Sequence, residues 1–296
     1  MKTNKLSTLS ILTTVLLVIV LYTLRVISLT TDINCNAAPI YKTDSYGGTN
    51  IISHHNENTR YLIAPVSVYS SLNQPKKVKG SRKYIPVLTY HCIDNIVWGY
   101  KPMFVPVKAF DEQMKYLNEQ GYTAITFKDL ENIDKISKPV IITFDDGYEN
   151  NYTNAYPILK KYNMKATIFV ISSTIEHQKY LKIWQIKEMQ NLIDIESHTV
   201  SHHYLDKLPK KEIENELVRS KEYLQSLLNT KIDVLAYPYG SFNDKVIKIA
   251  KKYYKYAVTT NPGEFCYKNA NDYKIKRISI HNDVTLEKFI SLLKIK

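Results

Sequence analysis

At 296 residues the chain is long enough to bury one sizeable core, and its three cysteines, Cys35, Cys92 and Cys266, show no CxxC spacing, which excludes a cysteine zinc site and a scaffold built mainly on disulfides. The formal net charge of +12 calls for anionic surroundings; with no nucleic-acid motif beside it, an anionic cell-wall polymer or membrane surface is the expected partner and nucleic acid is not. No GxSxG elbow occurs, which excludes the serine hydrolases built on one.

The chain opens on an address. Leu6 to Leu24 carries no charged residue, approaches the length that crosses a bilayer, and follows Lys2 and Lys5. Residues 1–30 are therefore expected to be a cytoplasmic tip and transmembrane signal anchor that places everything after it outside the membrane. Asn36-Ala37-Ala38-Pro39 offers a late cleavage site that would release a secreted form, but no small-residue site directly follows the apolar run, so the uncleaved anchor is preferred. Cys35 follows Ile33-Asn34, which lacks the small residue expected before a lipidated cysteine. Residues 31–83 are polar, poor in helical periodicity and close on Lys76-Lys77-Val78-Lys79-Gly80-Ser81-Arg82-Lys83, which reads as an extracytoplasmic tether.

Residues 84–296 read as one domain. Strands are predicted at 84–90, 122–126, 139–144, 166–171, 192–195, 234–237, 256–259 and 276–280. Helices are predicted at Val107–Glu119, with Phe110, Met114 and Leu117 in register, and at Lys210–Leu228, with Ile213, Leu217, Leu224 and Leu228. The βα alternation supports an α/β fold with a parallel sheet, closed or nearly closed into a barrel.

Two segments carry chemistry. Pro139-Val140-Ile141-Ile142-Thr143-Phe144-Asp145-Asp146-Gly147 is an apolar strand that delivers two adjacent carboxylates into a glycine turn, at the strand end where parallel α/β folds place their sites. Adjacent carboxylates repel unless a cation shares the site, so the pair suggests one metal ligand and one base; the plainer alternative is a polar turn. Ser197-His198-Thr199-Val200-Ser201-His202-His203 follows another apolar segment. If helical, it would put His198 and His202 on one face, as in HExxH, with His203 a second spacing. Asp146, His198 and His202 would form a two-histidine, one-carboxylate set with open coordination positions.

At these residues the chain resembles the NodB-homology polysaccharide deacetylases, carbohydrate esterase family four. Thr143-Phe144-Asp145-Asp146-Gly147 looks like the first motif, His198-Thr199-Val200-Ser201-His202 the second, and Tyr237-Pro238-Tyr239-Gly240 a variant of the third. Pro86-Val87-Leu88-Thr89-Tyr90-His91-Cys92-Ile93 resembles the opening strand of the poly-N-acetylglucosamine deacetylase branch. The resemblance implies a distorted (β/α) barrel of seven strands. It also implies Asp145 as general base, Asp146, His198 and His202 on a divalent cation (zinc first, then cobalt, nickel or manganese), and the Tyr239 amide at the oxyanion, with Tyr237 and Pro238 beside the substrate.

Three departures leave alternatives open. The general acid is His91 or His281; His91 matches the branch and is preferred, while His281 lacks the usual Leu-x-His. Classical members pair the base with an arginine where this chain has Ala236; Arg277 is either its substitute or an arginine capping a surface strand. No fourth motif is found, and Trp184 is either an aromatic wall for the sugar or a core residue. Cys92 is expected to be a buried small hydrophobe. The implied activity is metal-dependent hydrolysis of N-acetyl groups on a surface polysaccharide, poly-β-1,6-N-acetylglucosamine before peptidoglycan or chitooligosaccharides. A catalytically weak glycan-binding protein is the reading from another class.

Overall fold

Short apolar strands fit a parallel sheet covered by helices, and eight parallel strands form the central sheet here. The computed structural model describes residues 42–43, 49–50, 83–268 and 271–294, and the chain divides into two units, Met1–Val78 and Lys79–Lys296. In the first unit Lys42–Thr43 pairs antiparallel with Thr49–Asn50. The expected anchor at Leu6 to Leu24 lies outside the described residues, as does most of the expected tether. Among the described residues no helix is long and apolar enough to cross a membrane.

The strands of the second unit are β1 (Val87–Tyr90), β2 (Thr123–Ile125), β3 (Pro139–Phe144), β4 (Ala166–Val170), β5 (Ile193–Ser197), β6 (Val234–Ala236), β7 (Tyr256–Pro262) and β8 (Ile275–Ser279). They pair in the order β1-β8-β7-β6-β5-β4-β3, and β3 pairs back onto β1, so seven parallel strands close into a ring. The eighth, β2, pairs with Pro139 to Ile141 of β3, whereas β4 takes Thr143 and Phe144. Hydrophobic period locates eight strands but does not say which one stays outside the ring. Lys83–Ile85 also pairs antiparallel with Phe265–Tyr267.

Alternation along the strands sorts two apolar clusters. Val87, Ile141, Phe169, Val234, Ala236, Tyr256, Val258 and Ile275 form the inner one. Their neighbours Leu88, Val140, Ile142, Phe144, Leu235 and Ala257 face out, into the larger cluster with the helices. Those helices are α1 (Val107–Glu119), α2 (Tyr156–Lys161), α3 (Ile183–Met189), α4 (Lys210–Leu228), α5 (Asp244–Ala250) and α6 (Leu286–Leu292). α1 and α4 occupy the predicted ranges. α4 buries Ile213, Leu217, Ser220, Leu224 and Leu228 at spacings of three and four and stops at Asn229, which turns left-handed at φ 50°. Cys92 is buried and, like Cys266, a free thiol.

The sheet also buries a carboxyl group. Glu196 on β5 accepts the Asp233 and Val234 N–H groups on Oε2, both at 2.9 Å, and burial pushes its pKa up to about 8. A pKa raised on folding contributes stability that is full below the unfolded value and is lost as pH climbs through the folded one. Glu196→Gln keeps an acceptor for both N–H groups and removes the titration. Its stability relative to wild type is expected to rise between about pH 5 and about pH 9, read by denaturant unfolding. A constant difference across that range would show that the fold does not raise the Glu196 pKa.

Candidate active site

The inner-facing positions change character toward the carboxyl ends of the strands. Val87 and Thr89 on β1 lead to His91, Ile141 and Thr143 on β3 lead to Asp145, Glu196 on β5 leads to His198, and Ile275 on β8 leads to Arg277. Each step is two residues, so one apolar barrel interior ends in a polar cluster at one rim.

Asp145 and Arg277 are the centre of it. Arg277 donates from both terminal nitrogens to the Asp145 carboxylate, at 2.8 and 2.7 Å, and also to Thr143 Oγ1 at 3.1 Å and the Thr259 carbonyl at 2.8 Å. It is 1% exposed. Of the two readings of Arg277, the structure has the partner of Asp145 and not a surface strand cap. Burial alone would raise the Asp145 pKa, but the guanidinium charge and its hydrogen bonds outweigh burial and hold the carboxyl well below its usual range. Ala236, where the resemblance expects the arginine, is fully buried, and its carbonyl accepts a hydrogen bond from His198 Nδ1 at 2.8 Å.

That bond fixes the His198 tautomer: Nδ1 carries the hydrogen, so the lone pair is on Nε2. Nε2 of His198 lies 3.2 Å from Nε2 of His202, and the two lie 3.5 and 3.4 Å from Asp146 Oδ1. Asp146 Oδ1 is buried and has no hydrogen-bond partner. Three donor atoms about 2.0–2.1 Å from one tetrahedral cation would stand about 3.3–3.4 Å apart, so the set fits a divalent metal. Burial pushes the His202 pKa down to about 4, helped by the neighbouring His198. Burial would raise the Asp146 pKa, but His198 beside it brings the balance below the usual value.

Neither half of the cluster is helical. Asp146 and Gly147 are both left-handed, at φ 73° and 76°, which turns the chain sharply after Asp145. A Cβ on Gly147 would meet Val170 Cγ1 at 2.8 Å, so the turn requires glycine. The expectation of two histidines on one helical face is corrected: residues 198–204 form a loop, with Thr199 at φ 67° and His202 at φ 58°. Ser197 Oγ takes the Thr199 N–H and Thr199 Oγ1 takes the His202 N–H, local bonds that replace helical ones. The spacing of four still brings the imidazoles together, through the loop. His203 is exposed and not in the set.

The remaining candidates separate. His91 is coupled electrostatically to Asp145, Asp146, Arg277 and His198; burial lowers its pKa and the two aspartates oppose that. His281 is exposed, just past the end of β8. Tyr239 is 53% exposed, has φ 57°, and sets its ring 4.4 Å from that of His202. Tyr237 and Pro238 are buried, and the Tyr237 ring stacks on Phe242, so their side chains serve the core. Trp184, on α3, is 57% exposed and packs edge-on against Tyr152.

Four aromatics escape sequence reasoning. Tyr148 stacks on Tyr180 at 5.1 Å and meets Trp98 edge-on at 5.2 Å, and its hydroxyl pKa is raised by burial first and then by the charge of Asp146. Tyr204 stacks almost parallel on Tyr239, with centroids 4.0 Å apart. Tyr148 follows Gly147 directly, and that adjacency to the turn was the one signal available for it.

The polysaccharide deacetylase family matches residues 132–258. The Bacillus subtilis (strain 168) protein YxkH is 40% identical over 186 residues, which is 60% of this chain and 65% of that one, just under two thirds of its length. The poly-beta-1,6-N-acetyl-D-glucosamine N-deacetylase of Staphylococcus aureus (strain MSSA476) is 30% identical over 261 residues, 75% of this chain and 90% of that relative. Among solved structures, the Streptococcus pyogenes deacetylase PplD in complex with acetate superposes with a TM-score of 0.68 at 32% identity, covering 72% of this chain and all of that one. The parallel seven-strand ring, the buried aspartate pair and these relatives agree: the chain belongs to the polysaccharide deacetylase family.

Proposed function

We propose that this chain removes acetyl groups from N-acetylglucosamine units of a surface polysaccharide, with poly-β-1,6-N-acetylglucosamine as first substrate and zinc as first cation. The observation that carries the reading is Asp145, held at both carboxylate oxygens by Arg277, beside three ligand atoms grouped closely enough to share one cation. Asp146, His198 and His202 would hold a divalent cation, which when bound would supply Lewis-acid polarisation of the acetyl carbonyl and a lowered pKa for water. The chain's own groups move the protons. Asp145 accepts the proton of the attacking water, since each carboxylate oxygen keeps a lone pair beyond its bond to Arg277. His91 donates to the leaving amine; a burial-lowered pKa makes its protonated form the stronger acid. The Tyr239 N–H, in a left-handed turn above His202, is the donor for the oxyanion. The exposed Tyr204 and Tyr239 rings and the Tyr148–Tyr180 pair are surfaces on which a sugar's apolar face packs.

The substrate preference rests on the 30% identity to the staphylococcal enzyme and on the His91 strand. An anchor at Leu6 to Leu24 would keep the domain at the outer membrane face, beside a nascent or wall-bound polymer. Acetate release is the test. The full-length chain, incubated with poly-β-1,6-N-acetylglucosamine, peptidoglycan fragments and chitooligosaccharides, is expected to release acetate fastest from the first. Chelator is expected to abolish release, and added zinc to restore it. Faster release from another glycan overturns the substrate; chelator-resistant release overturns the metal; no release from any leaves the glycan-binding reading.

A further inference from the structure

The loop that carries both histidines has four consecutive backbone donors, at residues 199 to 202, and side chains take all four N–H groups. Thr199 donates to Ser197 Oγ at 3.2 Å and His202 to Thr199 Oγ1 at 3.1 Å. Val200 and Ser201 donate to a single atom, Oε2 of Glu216, at 2.9 and 2.8 Å. Four residues on, Ser220 bonds Ser197 Oγ at 2.9 Å. Spacing of four puts Glu216 and Ser220 on one face of α4, and that face holds the strand end at Ser197 and the middle of the loop at Val200 and Ser201. The Ser172 and Ser173 N–H groups also donate to the carbonyls of Thr199 and Val200. The residues bracketing the pair held by Glu216 are Thr199 and His202, the two forced into the left-handed region. A conformation that L-residues avoid persists only where surrounding bonds over-determine it.

We propose that Glu216 is a positioning residue for the metal centre: through the Val200 and Ser201 N–H groups it holds the loop in the one shape that aims both imidazoles at Asp146. The inference rests on the reading of Asp146, His198 and His202 as a metal site. Without the carboxylate, the loop can relax its two left-handed residues, and the ligands must be ordered when the cation binds. Oε2 acts as an acceptor here and the bonds need reach, not net charge.

Zinc affinity of the full-length chain, by competition with a chromophoric chelator, tests this alongside circular dichroism for folding. Glu216→Ala is expected to weaken zinc binding on the order of 10- to 100-fold, the size of loss seen when groups orienting a metal ligand are removed. Glu216→Gln, which keeps an acceptor oxygen at the same reach, is expected to stay within about threefold of wild type. Glu216→Asp, charged but one methylene short, is expected to behave like the alanine variant. A merely structural role predicts lower melting temperatures with unchanged zinc affinity, and that result overturns the proposal. If Glu216→Ala does not fold, the pair of conservative variants decides: Gln near wild type with Asp weakened supports the role, and equal affinities overturn it. His198→Ala is the control; loss there with none in Glu216→Ala refutes Glu216 alone, whereas no loss in His198→Ala refutes the metal site on which the inference stands.

Discussion

Asp145→Asn is expected to lower turnover about 100- to 10,000-fold, the range for removing a positioned general base, while zinc stays bound. Asparagine keeps the shape of the side chain and an oxygen for Arg277, and it leaves Asp146, His198 and His202 in place. What it removes is the proton acceptor. Because the substitution also strips a buried guanidinium of its counter-charge, some stability is lost, so turnover is to be compared at a temperature where circular dichroism shows both proteins folded. Turnover within threefold of wild type would refute the role of Asp145 and revive the binding-only reading. Zinc loss in step with turnover would place Asp145 among the ligands instead.

Arg277→Met is expected to destabilise the fold by about 3–5 kcal/mol near neutral pH, the usual cost of leaving a buried ion unpaired. Methionine fills part of the volume, so the effect is chiefly electrostatic: Asp145, Thr143 Oγ1 and the Thr259 carbonyl all lose their donor. The pH dependence follows from the sign of the Asp145 shift. In the wild type its pKa is depressed, so its contribution is present above the unfolded value and lost as pH falls through the folded one. Without Arg277 burial is opposed only by the smaller pull of His198 and His91, and that pKa rises. The variant then takes up a proton on acidification, and its deficit relative to wild type narrows as pH falls from about 7 to about 4. Urea unfolding of both proteins across that range checks it, and a deficit independent of pH would mean that Asp145 is not the group Arg277 balances.

The chemistry was more legible than the geometry that delivers it. Asp145, Asp146, His198 and His202 could be picked out because their residue types and spacing are rare together, and the α1 and α4 ranges because their apolar residues recur at helical period. Arg277 could be named but not decided, since it meets Asp145 across 132 positions of sequence and nothing local distinguishes a buried guanidinium from a surface one. The loop at 198–204 shows a related limit: spacing of four is compatible with a helix, and the Ser197, Thr199 and Glu216 side chains, taking N–H groups a helix would use, hold it open. The short helices α2, α3, α5 and α6 carry one or two turns each, too little for a periodic signal. The aromatic contacts of Tyr148 and Tyr204 depend on which loops meet, which no period encodes.

Ring closure has a kinetic side. β1, near the start of the domain, is stitched to β8 near its end through Leu88 with Ile278 and Thr89 with Ser279, so the barrel can close only after almost the whole domain has been traversed. Contacts of such long range form late and slowly, because loop-closure entropy must be met before they reward it. β8 is also the strand that carries Arg277. A chain with β1 to β7 assembled would therefore hold both aspartates and both histidines near their places, with Asp145 buried but lacking its counter-charge. Docking of β8 is at once the step that closes the ring and the step that gives Asp145 its counter-charge, so completing the fold and settling that buried carboxylate coincide.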